Sequence, residues 1–214
     1  MTSRERLIAA SRGGDVDQRP VICWPNACDD SDAIVDAQTS DDKIRLATTL
    51  NPFGLGLKIG AGVDQKLAED PAAGEKVLDQ LVDQTKQSIR ASFDKGADGI
   101  LYLLYGARGL HTSPMEYGGH FLERDREILA EIEDSTFNMI FVVGEDDAYL
   151  DFVSDLPAHA FAWDSQATGT SSKEMRAMRE GALATNSPGA DIELRFGADG
   201  LAAELELMLQ ESHA

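Results

Sequence analysis

Side chains that could bind a substrate or transfer a proton follow apolar segments of the sequence, where predicted strands end. Six of them are candidates for a site: Trp24, Asn26, Tyr105, Arg108, Asp164 and Asn186. Enzymes built on parallel strands place their working groups at the carboxyl ends of those strands. The sequence therefore predicts a small-molecule site at the carboxyl end of a parallel sheet.

Asp164 and Tyr105 are the candidate catalytic residues. Asp164 follows Trp163, and a carboxylate held beside an aromatic ring is suited to act as a general acid or base. The alternative for Asp164 is a helix cap or a solvated carboxylate. The phenol of Tyr105 could orient a substrate, although a tyrosine that ends the segment YLLY also suits a core position.

The candidate substrate-binding residues are Arg108, Trp24, Asn26 and Asn186. Arg108 is the cation of this group, and a guanidinium binds a carboxylate through paired hydrogen bonds. We expect it to anchor a carboxylated small molecule. The competing interpretation is a surface arginine paired with one of the many acids of the chain.

No metal ion or other cofactor is expected. Glu145 and Asp146 offer adjacent oxygen ligands of the kind that magnesium or calcium takes, but we favour an acidic cluster that caps a helix starting near Asp147. The two cysteines, Cys23 and Cys28, have four residues between them. We interpret this spacing as neither a disulfide framework nor a structural zinc pair, and expect a reducing, cytoplasmic compartment.

The charge of the chain argues against two classes of partner. Its 38 acidic and 19 basic residues give a net charge of −19, which repels phosphate backbones and anionic lipid surfaces. Neither nucleic acid nor a membrane is expected to bind. The amino terminus has no apolar run of signal length, and no segment reaches the roughly 18 apolar residues of a membrane span.

Apolar segments alternate with helical patterns along most of the chain, which predicts a parallel sheet covered by helices in one domain over residues 1–214. Capping signals start helices at Pro71, at Pro114 (running to about Glu133) and after Ser171. Further helices are expected in KIRLATTL and AYLDFVSDL, and a glycine-rich loop or edge strand in NPFGLGLKIGAG. Predicted strands are VICW, DGILYLLY, FNMIFVVG, AHAFAWD and ALATN.

Several of these segments, in their order, resemble the uroporphyrinogen decarboxylase superfamily. SRERLIAASRGGDVDQRPVICW is similar to the family's opening helix and first strand, and GADGILYLLYGARGLHTSPMEYGGHFLERDREIL to its central strand and following helix. FNMIFVVGEDDAYLDFVSDLPAHAFAWDSQATG resembles the next two strand units, and GALATN the one after. The resemblance implies a TIM-barrel-like parallel β/α fold. This chain is shorter than members of that superfamily. We therefore expect an incomplete barrel of about six strands, and a homodimer that covers the exposed strand edges.

The chain departs from the family at its functional positions. The decarboxylase carries an R-x-x-x-R phrase after the first strand, where this sequence reads WPNACDD. Methyl-transferring relatives bind zinc through an H-x-C-G phrase, where this sequence reads Phe141-Val142-Val143-Gly144. A tetrapyrrole substrate and the zinc site of the methyltransferases are both disfavoured by these replacements.

Three functions remain open for a divergent member of the superfamily. The first is a cofactor-independent decarboxylase that acts on a small carboxylate, with Arg108 gripping the substrate and Asp164 moving a proton. The second is a methyltransferase-related protein without the zinc site, which implies a metal or corrinoid partner. The third is a non-catalytic binding or assembly protein. Fold resemblance alone does not choose among them, because one barrel hosts many chemistries.

Overall fold

Eight parallel strands form a closed barrel in which each strand pairs with its neighbours in chain order, and the last strand pairs with the first. The structure is a computed structural model that describes residues 1–24, 28, 30–36, 42–196, 205 and 209. The strands are β1 (Val21–Trp24), β2 (Ala33–Val35), β3 (Ile44–Leu50), β4 (Gly99–Leu104), β5 (Met139–Val142), β6 (Ala160–Trp163), β7 (Ala182–Thr185) and β8 (Ile192–Phe196). The predicted TIM-barrel-like fold is thus confirmed.

Helices cover part of the outside of this barrel. They are α1 (Ser3–Ser11), α2 (Pro52–Lys58), α3 (Val63–Glu69), α4 (Pro71–Asp94), α5 (Pro114–His120), α6 (Leu122–Ala130), α7 (Ser165–Thr168) and α8 (Ser172–Met178). The capping boxes predicted at Ser113 and Ser171 are both formed, each with the glutamate three residues later. No described helix is long and apolar enough to cross a membrane.

Large and small side chains interlock inside the barrel. The ring centroids of Trp24 and Phe141 are 5.7 Å apart, and those of Phe141 and Phe196 are 6.1 Å apart. Registered residues of neighbouring parallel strands share a face, and Phe141 is in register with Ala162, which is in register with Ala184. Because the two alanine side chains are small, they leave space inside the barrel, and the large rings fill this space. The interior at this level is a packed apolar core rather than a pore.

The expectation of about six strands and an incomplete barrel is wrong. The segment predicted as a helix around Ile44 is β3, which is held in register with β4 at five positions from Leu46 to Leu50. The strand β2 has only three residues, and β8 follows β7 after residues 186–191. Strands this short carry little periodic signal, so pairing with their neighbours decides their conformation.

Three predicted elements differ in the structure. The glycine-rich segment after β3 is helix α2, because Asn51 caps it through a 2.9 Å bond from the Gly54 N–H and Pro52 suits its first turn. A side chain at position 54 would place its Cβ 2.8 Å from the Tyr105 ring, so the glycine serves close packing. The helix from Pro114 ends at His120 and α6 begins at Leu122. Residues 149–156 form turns instead of a helix.

Closure of the barrel also removes the reason for expecting a dimer. Within the described residues, every strand pairs on both sides, so no strand edge is left exposed for a second subunit to cover. The homodimer stays a prediction, but without the exposed edges on which it rested.

Candidate functional site

The carboxyl ends of β6 and β7 bring two of the predicted site residues into contact. Asp164 directly follows β6 and Asn186 directly follows β7. The Asn186 Nδ2 group donates a 3.0 Å hydrogen bond to Asp164 Oδ1. Asn186 Oδ1 in turn accepts from the Ser165 backbone N–H at 3.1 Å and its hydroxyl at 2.8 Å, and from the Thr185 hydroxyl at 3.2 Å. Both side chains are therefore fixed in orientation at the end of the barrel.

Asp164 is also the N-cap of the short helix α7. Its Oδ1 atom accepts the backbone N–H groups of Gln166 at 2.8 Å and Ala167 at 3.2 Å. Within the described part of the chain, no hydrogen bond reaches the second carboxylate oxygen, Oδ2. Oδ1 of Asp164 thus holds the loop, and Oδ2 has no hydrogen-bond donor among the described residues.

Arg108 forms ion pairs with two acidic residues of the loop after β5. Its Nε donates to Asp147 Oδ1 at 2.8 Å, and Nη2 lies 3.6 Å from Glu145 Oε2. Burial by itself raises the pKa of Asp147, but hydrogen bonds from Arg108 and from the Leu110 N–H outweigh it, so the pKa lies below its usual value. The geometry therefore matches the competing interpretation of Arg108, a paired arginine, more closely than a free substrate anchor.

The acidic cluster after β5 does not cap a helix, since residues 145–147 lie in turns. Asp147 instead ties the loop after β4 to the loop after β5. It accepts from Arg108 and from the Leu110 N–H at 2.8 Å, and Arg108 forms a β-bridge with Ala148. The role of Asp147 therefore depends on contact between these two loops, and its position in the sequence does not show this role.

Tyr105 shares no hydrogen bond with the Asp164–Asn186 pair among the described residues. Its ring is buried, its hydroxyl donates to the carbonyl oxygen of Leu205 at 3.4 Å, and burial raises the pKa of the phenol. Trp24 is 2% exposed and faces the barrel interior against Phe141. Both side chains occupy core positions in the described structure, and Asn26 lies outside the described residues.

The positions that resemble the zinc ligands of the family carry no donor atom on their side chains. Phe141, Val142 and Val143 are all buried, at 1%, 1% and 8% exposure. Zinc binds through thiolate, imidazole or carboxylate groups, so these residues do not fit the metal. Zinc therefore has no role at the end of β5 in the reactions considered below.

Sequence reasoning missed a buried polar network behind β4. Asp125 of α6 is fully buried and accepts hydrogen bonds from the Tyr102 hydroxyl at 2.7 Å, the Tyr117 hydroxyl at 2.5 Å and Asn51 Nδ2 at 3.3 Å. Burial raises the pKa of Asp125 to about 6, although the three hydrogen bonds oppose the rise. Its partners come from β4, from α5 and from the residue that caps α2, and only the Asn51-Pro52 helix start leaves a signal in the sequence.

Cys23 and Cys28 form a disulfide, contrary to the expectation from their spacing. The Cα atoms of the two cysteines are 5.9 Å apart, within the usual range for a disulfide. Asp30 lies beside them, and the two sulfur atoms and one of its carboxylate oxygens all lie within 4.8 Å of one another. The expectation rested on the spacing of the cysteines in the sequence, which does not give the distance between them in the folded chain.

Comparison with known proteins identifies the fold and not a family. No family model matches the chain, and no curated protein matches it. Among solved structures, a methyltransferase from Methanosarcina mazei superposes with a TM-score of 0.74 over 92% of this chain and 93% of that chain, at 12% sequence identity. The chain thus shares its closed parallel barrel with this methyltransferase.

Proposed function

We propose that the chain is a methyltransferase-related protein of the uroporphyrinogen decarboxylase superfamily. The observation that carries the proposal is the superposition on a methyltransferase over 92% of the chain, in the order of segments that resembles this superfamily. The same fold hosts several reactions, so the substrate has to be argued from the residues at the strand ends.

Charge at the strand ends disfavours a substrate rich in carboxylates. Arg108 is paired with Asp147 and Glu145, and Arg195 at the end of β8 is paired with Asp30. A polycarboxylate would have to displace these acids from the two arginines and approach a chain of net charge −19. Decarboxylation of a tetrapyrrole or of a smaller acid is therefore the weaker proposal, and a neutral or cationic methyl compound is the better match.

The Asp164–Asn186 pair is the proposed contact with the substrate. Asp164 Oδ2 is available to accept a hydrogen bond or a proton, while the bonds to Gln166, Ala167 and Asn186 hold the carboxylate in place. A positioned carboxylate of this kind contributes as a general base only when its acceptor oxygen faces the substrate. Asp164 takes the proton of the methyl acceptor in this scheme, and Asn186 positions Asp164.

Methyl transfer from methylcobalamin to a small thiol is the direct test. The carbon–cobalt bond breaks with its electron pair left on cobalt, the methyl group bonds to sulfur, and the thiol proton is taken up by Asp164. We expect methylated 2-mercaptoethanol, detected by mass spectrometry, above the rate without protein. Asp164→Asn retains a helix-capping side chain but loses the base, and should lower the rate by about 100-fold.

Asp151→Asn is the matched control, because Asp151 is an exposed carboxylate in a turn. Its rate should equal that of the unchanged chain. A parallel incubation with uroporphyrinogen should give no decarboxylated product. Turnover of uroporphyrinogen would reverse the preference between the two reactions. A folded chain without methyl transfer would contradict the proposal and favour a non-catalytic binding protein.

A further inference from the structure

Two sulfur atoms and a carboxylate meet where the chain leaves β1. Cys23 is 4% exposed, Cys28 is half-buried and Asp30 is exposed. One ligand atom from each residue lies within 4.8 Å of the other two, which is close enough for a single metal ion to contact all three. Thiolate and carboxylate groups both bind zinc, and, contrary to the expectation from the sequence, the Cys-x₄-Cys spacing lies at the upper end of the typical range for zinc ligands.

This cluster lies on the outer side of the barrel. Side chains alternate between the two faces of a strand, and Trp24 faces inward against Phe141. Cys23 therefore faces outward, where its register partner on β8 is Arg195. The cluster is separated from the barrel interior by the β1 backbone, and it is distinct from the Asp164–Asn186 pair on β6 and β7.

Arg195 supplies an outer contact to the cluster. Its Nη1 donates to Asp30 Oδ2 at 2.7 Å, and its Nε donates to Glu193 Oε1 at 2.7 Å. A carboxylate that binds a metal through one oxygen is commonly held by a hydrogen bond to the other. The pairing with Arg195 leaves Asp30 Oδ1 for a metal ion.

We propose that the reduced chain binds one zinc ion through Cys23, Cys28 and Asp30, and that oxidation to the Cys23–Cys28 disulfide abolishes this binding. Three protein ligands leave one position of a tetrahedral zinc ion for water or another small ligand. The proposal goes beyond the methyl-transfer function and does not depend on it.

The disulfide is converted to the zinc-bound state in two steps, reduction and metal binding. The reductant gives two electrons as the sulfur–sulfur bond breaks. A phosphine becomes its oxide with the oxygen of water, whose two protons complete the two thiols, whereas a dithiol becomes a disulfide and supplies its own two protons. Binding of the metal then releases both thiol protons as the sulfurs become thiolates. Cys28 is half-buried rather than enclosed, so a small reductant can reach the disulfide.

Cobalt titration tests the site, because Co²⁺ binds in place of zinc and its bonds to thiolate absorb in the near ultraviolet. The full chain is reduced with a phosphine without oxygen, freed of metal and titrated with Co²⁺. We expect a sulfur-to-cobalt band that saturates at one equivalent and disappears when zinc is added. The oxidised chain should show no band.

Three variants locate the ligands. Cys28→Ser should remove the band, and Asp30→Asn should weaken cobalt binding by about tenfold or more while the disulfide still forms under oxidising conditions. Asp151→Asn, an exposed carboxylate elsewhere, should bind as the unchanged chain does. A reduced chain without the band, or a band that survives Cys28→Ser, would overturn the proposal. Unchanged affinity in Asp30→Asn would overturn the three-ligand site.

Discussion

The two halves of the barrel are built differently on the outside. In the helix-covered half, β3 to β6, the connection from β3 to β4 carries α2, α3 and α4, and that from β4 to β5 carries α5 and α6. In the short-connection half, β7, β8, β1 and β2, strands are joined through residues 186–191, 25–32 and 36–43. Parallel strands usually need a crossover of a dozen residues or more, so the second half departs from the common pattern.

The difference shows that closure of the barrel does not require a helix after every strand. In the helix-covered half, the covering helices bury apolar side chains, such as Ile89 of α4 and Ile128 of α6. The short-connection half also buries apolar groups, such as Leu7 of α1, and adds ionic contacts to them. Arg6 of α1 pairs with the buried Asp32 before β2, and Asp32 also accepts the Val21 N–H of β1 at 2.8 Å.

Removal of Arg6 should have the largest effect on the short-connection half. Arg6→Leu leaves Asp32 buried at 1% exposure without its cation, which costs about 3–5 kcal/mol in the free energy of unfolding. Arg12→Leu, at the exposed end of α1, is the control and should change it by less than about 0.5 kcal/mol. Denaturant unfolding measures both, and equal stability of the two variants would contradict the ionic anchor.

A second variant tests the tight packing of the helix-covered half. In Gly99→Ala the new Cβ would lie 1.6 Å from the Phe137 carbonyl oxygen, so β4 has to shift, at a cost of about 3 kcal/mol or more. Gly119→Ala meets no atom within 4 Å on exposed α5, and should be neutral or slightly stabilising. Thermal unfolding compares the two, and a stable Gly99→Ala would show that β4 has room to adjust.

The buried carboxyl of Asp125 gives the helix-covered half a pH dependence. Burial raises its pKa to about 6 in the folded chain, so the folded state holds the proton more tightly than the unfolded state. This contribution to stability is complete below about pH 4 and is lost as pH rises through about 6. Relative to Asp125→Asn, the unchanged chain should therefore lose about 2–3 kcal/mol between pH 4 and pH 7.

The comparison with Asp125→Asn is needed because other carboxyl groups act in the opposite direction. Hydrogen bonds from Arg6 lower the pKa of Asp17, and hydrogen bonds from Arg45 and Arg4 lower that of Asp98 in spite of its partial burial. These contributions are the same in the unchanged chain and in Asp125→Asn, so they cancel in the difference between the two unfolding free energies. A difference in unfolding free energy that stays constant across this pH range would contradict a raised pKa for the buried carboxyl of Asp125.

The smallest effect is expected at the exposed ion pair between the start of β1 and β8. Arg19 Nη2 lies 2.5 Å from Glu193 Oε2, but the arginine side chain is 41% exposed. Arg19→Ala should cost at most about 1 kcal/mol, and the loss should shrink in high salt because the pair is screened. Denaturant unfolding at low and high salt measures this, and a larger cost that salt leaves unchanged would indicate a buried contact.

Each half of the barrel contains elements that the sequence predicted and elements that it did not; in the helix-covered half, β3 was expected as a helix. The helix after Asp70 shows apolar residues at three- and four-residue steps, and the Ser113 and Ser171 capping boxes are local signals. In the short-connection half, β2 has three residues and lies between acidic segments, so no local pattern marks it as a strand. Those strands exist because their neighbours pair with them, which a single sequence does not display.

The candidate site divides in a similar way. Asp164 and Asn186 were predictable because parallel strands place their following residues at one end of the barrel. The pairing of Arg108 with Asp147 and the Cys23–Cys28 disulfide both depend on side chains that meet only in the folded chain. Tertiary contacts of that kind leave no spacing rule in the sequence.

Hydrogen–deuterium exchange of the backbone amides tests most directly whether the short-connection half closes the barrel. β1 and β8 are in register from Val21 with Glu193 to Trp24 with Phe196. We predict slow exchange in peptides that cover both strands, comparable with that of β4 (Gly99–Leu104) in the same sample. Rapid exchange in Ile192–Phe196 while β4 stays protected would contradict a closed barrel.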